Sequence, residues 1–464
     1  MVMKKRAAAM AMALAMSIGL LAGCGASSQS GETAQPADAA VADTAGEEKG
    51  GEAAVAAEGE PVTLSVFWWG SQLRNERTQQ ILDMYAAENP GITFDGQFSD
   101  DYWTRMATLA AGHTLPDVVQ MVYGYLAQYA EEGTLVDLTP YIEDGTIDVS
   151  NVSENILNAG KVGDGIYAIC NGVNAPALFY NKTLLDEAGI EVKDFMTVEE
   201  FENLCREVYE KTGYKTSMAY GAMTGEKYMQ YLLRSEGKHL YNEAGNALGA
   251  ESAADILPYF QMYEDGIKEG WHLDPSLYVE RTLGQVQEDP MVYGSSPETM
   301  AWCGFYDSNQ LSSMQAAAPE GVDIAMTTLP SDNVKASLWL NPSQFFCVSA
   351  DSAHPEEGAK LINYITNSVE CNEVLLGERG VPVSSVVAEA IAPMQSADDQ
   401  EIVTYINDVV TPNSSEIDPP SPSSGSEVFN LMNSLTEQVM YGELTAQQAA
   451  EQFFTEGNAI LAGK

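Results

Sequence analysis

Two adjacent tryptophans and a group of hydrogen-bonding side chains follow the first apolar strand of the chain's globular part. Trp68-Trp69-Gly70 ends the strand predicted at Val62–Phe67, and the polar turn behind it carries Ser71, Gln72, Arg74 and Asn75. Indole rings cover apolar surfaces of a ligand, while hydroxyl, amide and guanidinium groups satisfy its polar atoms. Residues of these types in one loop predict the binding of a small molecule at the wall of a cleft.

The elements around this loop predict where it lies. Val62–Phe67 begins with alternating residues and then runs apolar, which is typical of a buried strand. A helix with one apolar face is predicted from about Asn75 and ends at Asn89-Pro90-Gly91. Ile92-Thr93-Phe94 is the next strand. The pattern is a β–α–β unit, and in an open α/β sheet the ligand binds outside the carboxyl ends of the strands.

Motifs for catalysis and for metal binding are absent from the sequence. It has no G-x-S-x-G and no H-E-x-x-H, and its 4 histidines are scattered, with no H-x-x-x-H pair for zinc. Gly163–Ala168 matches G-x-G-x-x-A, but no helix pattern follows, so a glycine turn before a strand at Tyr167–Cys170 is favoured. We therefore expect no catalytic residue, no metal and no cofactor.

The charge of the chain excludes two classes of partner. Its 464 residues include 22 basic and 67 acidic side chains, which gives a net charge of −45. Such a surface repels phosphate backbones, so we expect no nucleic-acid binding. Anionic lipid headgroups repel it as well, so any membrane attachment has to be covalent or hydrophobic. A hydrophobic content of 45% is ample for buried cores in two large lobes.

The N-terminal segment has the order of a bacterial lipoprotein signal peptide. Lys4-Lys5-Arg6 is basic, and Ala7–Leu21 is apolar but too short for a comfortable membrane span. Leu21-Ala22-Gly23-Cys24 then resembles a lipobox, in which the Cys24 thiol receives the lipid. The sequence predicts a signal peptide at 1–23. The alternative is an ordinary secretory signal with an accidental cysteine.

A segment of low complexity follows. Residues 24–60 consist mostly of Ala, Gly, Ser and Glu, and they hold too few large apolar side chains to offset the chain entropy of folding. We interpret 24–60 as a disordered tether that is lipid-anchored at Cys24. A flexible chain of this length has a root-mean-square reach of roughly 30–35 Å.

The other cysteines predict no disulfide framework. They are solitary and show no short paired spacing, so we interpret them as small buried apolar residues. They are Cys170, Cys205, Cys303, Cys347 and Cys371.

Short strings spread through the chain carry a family resemblance. They are FWWG with its helix and ENPGI, DDYWTRMATLAAGHTLPDVV, EEGTLVDLTPYI, GDGIYAI, ALFYNKTLLDEAGI, MTVEEFENLC, ETMAWCGFY, ERGVPV and GELTAQQAAEQF. Their order and spacing resemble the extracellular solute-binding protein family 1, the sugar-binding lipoproteins of bacterial ABC importers. The resemblance covers Val62 to Lys464. The chain departs from the family at Thr197-Val198, where Thr-Trp is usual.

The resemblance implies an α/β, periplasmic-binding-protein-like fold, with two α/β lobes around a cleft and several hinge crossings. The first lobe is expected at 62–172 and 290–342, and the second at 173–289 and 343–464. A sugar is expected to bind between the lobes, which close over it. The implied protein is a monomeric receptor on the outer side of the cell membrane, or in the periplasm, that delivers a carbohydrate ligand to the permease subunits of an ABC importer.

Within that cleft, a pyranose needs rings for its apolar face and polar side chains for its hydroxyls. Adjacent strand residues point to opposite sides, so one of Trp68 and Trp69 is expected in the core. For each other candidate the alternative is core packing or a solvated surface. We interpret Trp103 and Trp271 as packing residues. The candidate ligand-binding residues are Trp68, Trp69, Arg74, Asn171, Asn174, Tyr220, Trp302, Trp339 and Arg379.

Two other classes of function stay open. One is a receptor for a different solute, such as a peptide or a polyamine. The other is a lipid-anchored glycosidase, which needs two carboxylates flanking one bond, and 67 acidic residues leave room for such a pair.

Overall fold

The computed structural model describes residues 61–218, 223–282 and 285–463. The signal peptide, the tether and Cys24 lie outside the described residues, and so does Tyr220. What the sequence predicts for these parts stays a prediction.

The strands and the longer helices follow one another along the whole described chain. The strands are β1 (Val62–Trp68), β2 (Ile92–Phe98), β3 (Val118–Met121), β4 (Lys161–Val162), β5 (Gly165–Ile166), β6 (Ile169–Asn174), β7 (Pro176–Asn181), β8 (Lys215–Thr216), β9 (Ala301–Asp307), β10 (Ile324–Thr327) and β11 (Asn341–Val348). The α-helices are α1 (Gln72–Glu88), α2 (Tyr102–Ala111), α3 (Tyr123–Glu131), α4 (Thr139–Glu143), α5 (Glu154–Asn158), α6 (Lys182–Ala188), α7 (Val198–Thr212), α8 (Met223–Ser235), α9 (Ala253–Glu269), α10 (Ser276–Val279), α11 (Leu311–Ala317), α12 (Val334–Ser337), α13 (Pro355–Asn367), α14 (Val369–Leu375), α15 (Ser385–Ile391), α16 (Ala397–Thr404), α17 (Gly425–Met440) and α18 (Ala446–Leu461). Tyr405–Val410 is a π-helix directly after α16.

The first sheet has the strand order β2-β1-β3-β11-β6. β1 is parallel to β2, from Val62 opposite Ile92 to Trp68 opposite Phe98, and it is parallel to β3 on its other side. β11 runs antiparallel to β3 and to β6. The carboxyl ends of β1, β2 and β3 therefore meet at one edge of the sheet, which is where α/β proteins bind ligands.

The second sheet has the strand order β10-β7-β9-β8. β7 is antiparallel to both β10 and β9, while β8 is parallel to β9. β9 has neighbours on both sides, and Ala301 to Phe305 are all buried. The predicted capping box at the start of α7 is confirmed, since the Thr197 side chain accepts from the Glu200 amide and the Glu200 carboxylate accepts from the Thr197 amide.

The chain passes between the two sheets more than once. Ala175 is the only residue between β6 of the first sheet and β7 of the second, and a further crossing leads from β10 to β11. This is the expected architecture of two α/β lobes with hinge crossings.

The two sheets divide the chain differently from the expected lobe boundaries. The resemblance predicts 290–342 in the first lobe, yet the strands β9 and β10 of this segment belong to the second sheet. Most of β11 lies in 343–464, which is expected in the second lobe, yet β11 belongs to the first sheet. The reason is that strand partners are set by distant residues: the apolar run Phe345–Val348 pairs with β3, and no local pattern specifies that partner.

The glycine turn expected near Gly163 is confirmed. β4 and β5 form a short antiparallel hairpin, and Gly163 between them has a φ of 60°, which glycine adopts without steric strain. The match to a dinucleotide fingerprint is therefore accidental, because a hairpin and not a helix follows the glycines.

Candidate functional site

The two adjacent tryptophans at the end of β1 have different environments. Trp68 is 1% exposed and belongs to the apolar core of the first sheet, and its ring approaches Gly96 of β2. Trp69 is partly exposed. The expectation that one of the pair is a core residue is confirmed, and the ligand contact predicted for Trp68 is wrong, because its ring lies inside the lobe.

Trp69 is part of a continuous group of rings that we call the aromatic platform. Its ring centroid is 4.7 Å from that of Tyr102 and 5.2 Å from that of Trp103. Trp103 in turn lies 4.5 Å from Tyr125, measured between centroids. The platform therefore consists of Trp69, Tyr102, Trp103 and Tyr125, and it lies at the carboxyl ends of β1, β2 and β3.

The platform has a buried anchor and an open face. Tyr102 is 2% exposed, stacks on Phe67 at 4.4 Å and donates a hydrogen bond to the Gln120 carbonyl at 2.5 Å. Tyr125 is 44% exposed, and Trp69 and Trp103 are half-buried. The buried Tyr102 thus contacts the two half-buried rings of Trp69 and Trp103, and Trp103 contacts the exposed Tyr125.

The interpretation of Trp103 as a simple packing residue missed this arrangement. Trp103 is the second residue of α2, the helix that follows the carboxyl end of β2, and Tyr125 is the third residue of α3, which follows β3. The sequence does contain a signal for this arrangement. It is an aromatic residue in the first turn of a helix that follows a parallel strand. Tyr123, the first residue of α3, is a further neighbour of the cleft.

Two arginines support the loop of Trp69 from below. The Arg74 guanidinium donates to both carboxylate oxygens of Glu378 at 2.9 Å and to the Trp69 carbonyl at 3.4 Å. Arg379 is 4% exposed, donates to Thr78 at 2.7 Å and to the Gln120 side chain at 3.3 Å. Both guanidiniums have protein partners, although the buried Nη1 of Arg379 has no hydrogen-bond acceptor within the described residues. The ligand contacts predicted for Arg74 and Arg379 stay predictions.

Burial also lowers the pKa of Arg379, one of these two arginines, to about 10, while the nearby Glu378 carboxylate acts in the opposite direction. The guanidinium stays charged at neutral pH. Its Nη1 lies 3.6 Å from Glu378, so Glu378 is a counter-ion that Arg74 and Arg379 share.

The predicted asparagines lie where the strands cross between the sheets. Asn174 is 8% exposed and accepts a hydrogen bond from the Asn341 side chain at 2.9 Å, which joins β6 to β11. Asn171 is half-buried. Within the described residues, neither its side-chain nitrogen Nδ2 nor the side-chain oxygen Oε1 of Gln344 has a hydrogen-bond partner. A bulge in the pairing of β6 and β11 surrounds Gln344. Asn174 is therefore a structural link, whereas Asn171 retains free donor capacity.

Two tryptophans predicted at the cleft belong to the protein core. Trp302 is 0% exposed, donates from its indole nitrogen to Thr216 at 2.9 Å and packs near Phe201. Trp339 is 2% exposed and lies near Tyr231. Both predictions are wrong. The prediction for Trp302 is wrong because β9 is an interior strand of the second sheet, with helices covering its side chains.

Two carboxylates lie at or near the end of β9 in the second sheet. Asp307 ends β9 next to the crossing, since the following Ser308 amide donates to the Ala175 carbonyl at 2.8 Å. One oxygen of Asp307 accepts from Lys227, and the other is buried with no partner within the described residues. Tyr306, just before it, donates to Asp289 at 2.7 Å. Burial raises the pKa of the Asp289 carboxyl.

The loop before α17 adds two further carboxylates. Asp418 pairs with Arg234 and accepts from Gln230 at 2.9 Å. Burial, and next the carboxylates of Asp418 and Glu416, raise the pKa of the Tyr123 hydroxyl to about 12. Tyr123 is the first residue of α3, the helix that also carries Tyr125 of the platform. The two carboxylates of this loop therefore act electrostatically on a residue of that helix. The candidate site is therefore the aromatic platform at the carboxyl ends of β1, β2 and β3.

Two α/β sheets joined by crossings are the architecture of a solute-binding protein. The sequence profile of the family described as bacterial extracellular solute-binding protein matches residues 80–402. The chain belongs to this family, and the resemblance found in the sequence is confirmed.

Solved structures agree with this class. An extracellular solute-binding protein of family 1 from Alicyclobacillus acidocaldarius is 26% identical, with a TM-score of 0.78 over 87% of this chain and 100% of that one. A periplasmic oligogalacturonide binding protein from Yersinia enterocolitica is 21% identical, with a TM-score of 0.71 over 86% and 99%. A de novo designed cysteine esterase is 22% identical, with a TM-score of 0.74 over 87% and 99%. The last two show a shared fold alone.

In the part of the chain that the structure describes, no helix is both long enough and apolar enough to cross a bilayer.

Proposed function

We propose that this solute-binding receptor of the ABC transporter type captures a sugar or oligosaccharide between its two lobes and delivers it to an importer. The aromatic platform is the observation that carries the proposal. Its rings suit the C–H face of a pyranose, and the amides and carboxylates around them suit its hydroxyls. Ring centroids that follow each other at 5.2 and 4.5 Å offer stacking surface for more than one sugar unit.

A receptor for a cationic solute such as a polyamine is the second candidate. The net charge of −45 favours it, because an acidic surface attracts a positively charged solute. The platform favours sugar over polyamine. A polyamine is an extended aliphatic chain with no flat face, so most of the surface of three rings would have no stacking partner.

Catalysis by an activated thiol has no support in the described residues. A reactive cysteine needs an accessible thiol with a lowered pKa. The five described cysteines are free and buried. Burial raises the thiol pKa of Cys170 and of Cys371 to about 12, and it raises those of the others as well. We propose binding without turnover.

We also propose that lipidated Cys24 holds the protein at the outer face of the cell membrane, with residues 25–60 as tether. The order of basic region, apolar run and lipobox supports it. An anchored receptor stays near its permease.

Calorimetric titration with a panel of neutral oligosaccharides, peptides and spermidine tests the proposed function. We expect saturable binding of at least one sugar, contraction in small-angle scattering on binding, and no release of reducing ends on prolonged incubation. Binding of spermidine or a peptide with no response to any sugar would identify another class of receptor. Steady cleavage would identify an enzyme.

A further inference from the structure

We propose that Gln120 is a positioning residue: its side chain holds Trp69 of the platform and links it, through Arg379, to the first crossing between the sheets, from β6 to β7. This inference rests on the proposed sugar-binding function, in which Trp69 is a stacking surface. Gln120 is the third residue of β3 and is fully buried. It therefore acts on a ligand only through the residues that it holds.

The Trp69 carbonyl accepts hydrogen bonds from two side chains. Gln120 donates from its amide nitrogen at 3.3 Å, and Arg74 donates from Nη1 at 3.4 Å. The pairing of β1 with β2 ends at Trp68, so Trp69 is the first residue beyond the ladder. The two side-chain donors hold the peptide plane that follows Trp69, and they limit the rotation that would carry its ring away.

The neighbours of Gln120 determine which way its amide points. The amide oxygen accepts from Nε and from Nη2 of Arg379, each at 3.3 Å. A guanidinium has no acceptor atom and a carbonyl has no donor, so the oxygen has to face Arg379 and the nitrogen has to face Trp69. Nη2 of Arg379 also donates to Thr78 at 2.7 Å, and the Thr78 hydroxyl donates to the Arg74 carbonyl at 2.6 Å. The side chain of Gln120 therefore fits in one orientation only.

The backbone of Arg379 is bonded to the crossing strand. The Ser343 hydroxyl donates to the Arg379 carbonyl and to the Gly172 carbonyl, the latter at 2.7 Å. The Val381 amide donates to the Val173 carbonyl at 3.0 Å, and the Val173 amide donates to the Val381 carbonyl at 2.8 Å. Gly172 and Val173 lie near the end of β6, and a single residue separates β6 from β7 of the second sheet.

This contact is also closely packed. A β-carbon on Gly172 would lie 2.4 Å from the carbonyl oxygen of Arg379, so the two backbones have no gap between them, and a displacement of one is felt by the other. Closure of a two-lobed protein moves its hinge segments. We therefore expect the position of Trp69 to follow the state of the crossing.

Fluorine NMR of the protein labelled with fluorotryptophan measures the position of Trp69 without a ligand. The chain has 6 tryptophans, and Trp69→Phe assigns the signal that disappears. In Gln120→Glu, a carboxylate beside the Arg379 guanidinium is ionised, so it accepts from Arg379 but has no donor for the Trp69 carbonyl. We expect the Trp69 signal to shift or broaden while that of Trp302 stays unchanged. An unmoved Trp69 signal in this variant would overturn the inference.

Gln315→Glu is the matched control. Gln315 on α11 also donates to a backbone carbonyl, that of Val322 at 2.8 Å, and accepts from a backbone amide, that of Ile324 at 2.8 Å. α11 lies against β10 of the second sheet, so we expect the Trp69 signal to stay in place. An equal shift of the Trp69 signal in the two glutamate variants would show a general response to the substitution and would also overturn the inference.

Ser343→Ala tests the link from the crossing and adds no charge to the core. It removes the hydroxyl that donates to Gly172 and Arg379. We expect the Trp69 signal to move, and we expect Ser343→Thr, which keeps a hydroxyl, to restore it. An unmoved Trp69 signal in Ser343→Ala would overturn the link between the platform and the crossing.

Calorimetry with the panel sugar that binds the parent most tightly connects this position to binding. We expect Gln120→Glu to bind that sugar about fivefold more weakly than the parent and Gln315→Glu to bind it equally well. Unchanged affinity beside a displaced Trp69 signal would overturn the positioning role and leave the proposed sugar receptor standing. Absence of binding by every sugar of the panel would overturn the proposed function, and the fluorine signals would still decide whether Gln120 holds Trp69.

Discussion

Trp69 and Trp103 lie with their ring centroids 5.2 Å apart and their planes inclined by 50°, although one follows β1 and the other begins α2. The contact exists because β1 and β2 are parallel neighbours that end at the same edge of the first sheet. It forms the centre of the aromatic platform, and Tyr102 beneath it is held by a hydrogen bond to the Gln120 carbonyl. Sheet topology therefore determines where the rings meet.

Replacing Trp103 with alanine is expected to weaken sugar binding strongly and stability only slightly. The ring is half-buried, so little of the core is lost, whereas the ligand loses a stacking surface. We expect at least a tenfold loss of affinity, which corresponds to about 1.4 kcal/mol, measured by calorimetry beside the melting temperature without ligand. Tyr293→Ala removes a ring that is 55% exposed outside the platform and is the matched control. Equal affinity of both variants and the parent would remove the platform from the site.

Trp302→Ala is expected to behave in the opposite way. This ring is fully buried, and its indole nitrogen donates to Thr216. Loss of a buried aromatic side chain costs about 3–5 kcal/mol of stability, which urea unfolding measures, while the folded fraction should bind sugar as before. Trp302→Phe keeps much of the volume, so it should recover part of the stability. A stable alanine variant with lost affinity would return Trp302 to the ligand site.

Glu378→Gln is expected to destabilise the first lobe. The substitution leaves Arg74 and Arg379 without their shared counter-charge, and both side chains are almost fully enclosed. Breaking a buried ion pair from one side typically costs about 3–5 kcal/mol. Glu76→Gln, on the exposed face of α1, should stay within about 0.5 kcal/mol of the parent in the same urea titration. Similar losses of unfolding free energy for the two variants would show that Glu378 contributes no more to stability than an exposed glutamate.

The local elements could be predicted from the sequence because their signals are local. The strand at Val62, the breaker at Asn89-Pro90-Gly91 and the capping box at Thr197 and Glu200 depend on neighbouring residues, and the structure has each of them. The interruption at Asn341-Pro342 was also visible, and it lies at the start of β11 next to its bulge.

The site could be predicted only in part, because burial depends on partners far away in sequence. Nothing near Trp302 specifies that β9 lies between β7 and β8. Arg379 is an example of the same limit, since its partners Thr78 and Gln120 are far from it in the chain. Trp69 was found because its place at a strand end is local information, and Trp103 was missed because its ring contact arises from the sheet.

Stability is expected to fall between pH 7 and pH 5 partly because of His272. Burial lowers the pKa of this histidine to about 4 from its usual 6.5. Between these values the unfolded chain binds a proton that the folded protein does not, so stability decreases as the pH falls. At pH 5 this histidine should cost about 2 kcal/mol relative to pH 7.

The matched variant His272→Gln isolates that contribution, because glutamine does not titrate. Urea unfolding of both proteins at pH 7 and pH 5 gives the difference of differences, in which all other groups cancel. We expect the variant to lose about 2 kcal/mol less than the parent on acidification. Equal losses would mean that His272 is protonated in the folded protein at pH 5.

Cys24→Ala is expected to release the protein from the membrane anchor that we propose. The thiol of a lipobox cysteine receives the lipid, and signal cleavage depends on that modification. Alanine offers no thiol, so the precursor should keep its signal peptide or be cleaved at another position.

Fractionation of cells with immunoblotting measures both properties, membrane association and size. Ser27→Ala changes a residue just beyond the lipobox and should behave as the parent. An uncleaved precursor and a lipidated protein both sediment with membranes, so size and lipid labelling are used to distinguish them. The precursor remains larger, while the lipidated form has mature size and takes up labelled fatty acid. Membrane-bound Cys24→Ala protein of mature size would contradict the lipobox, because the acidic surface, with a net charge of −45, offers no electrostatic attachment to anionic headgroups.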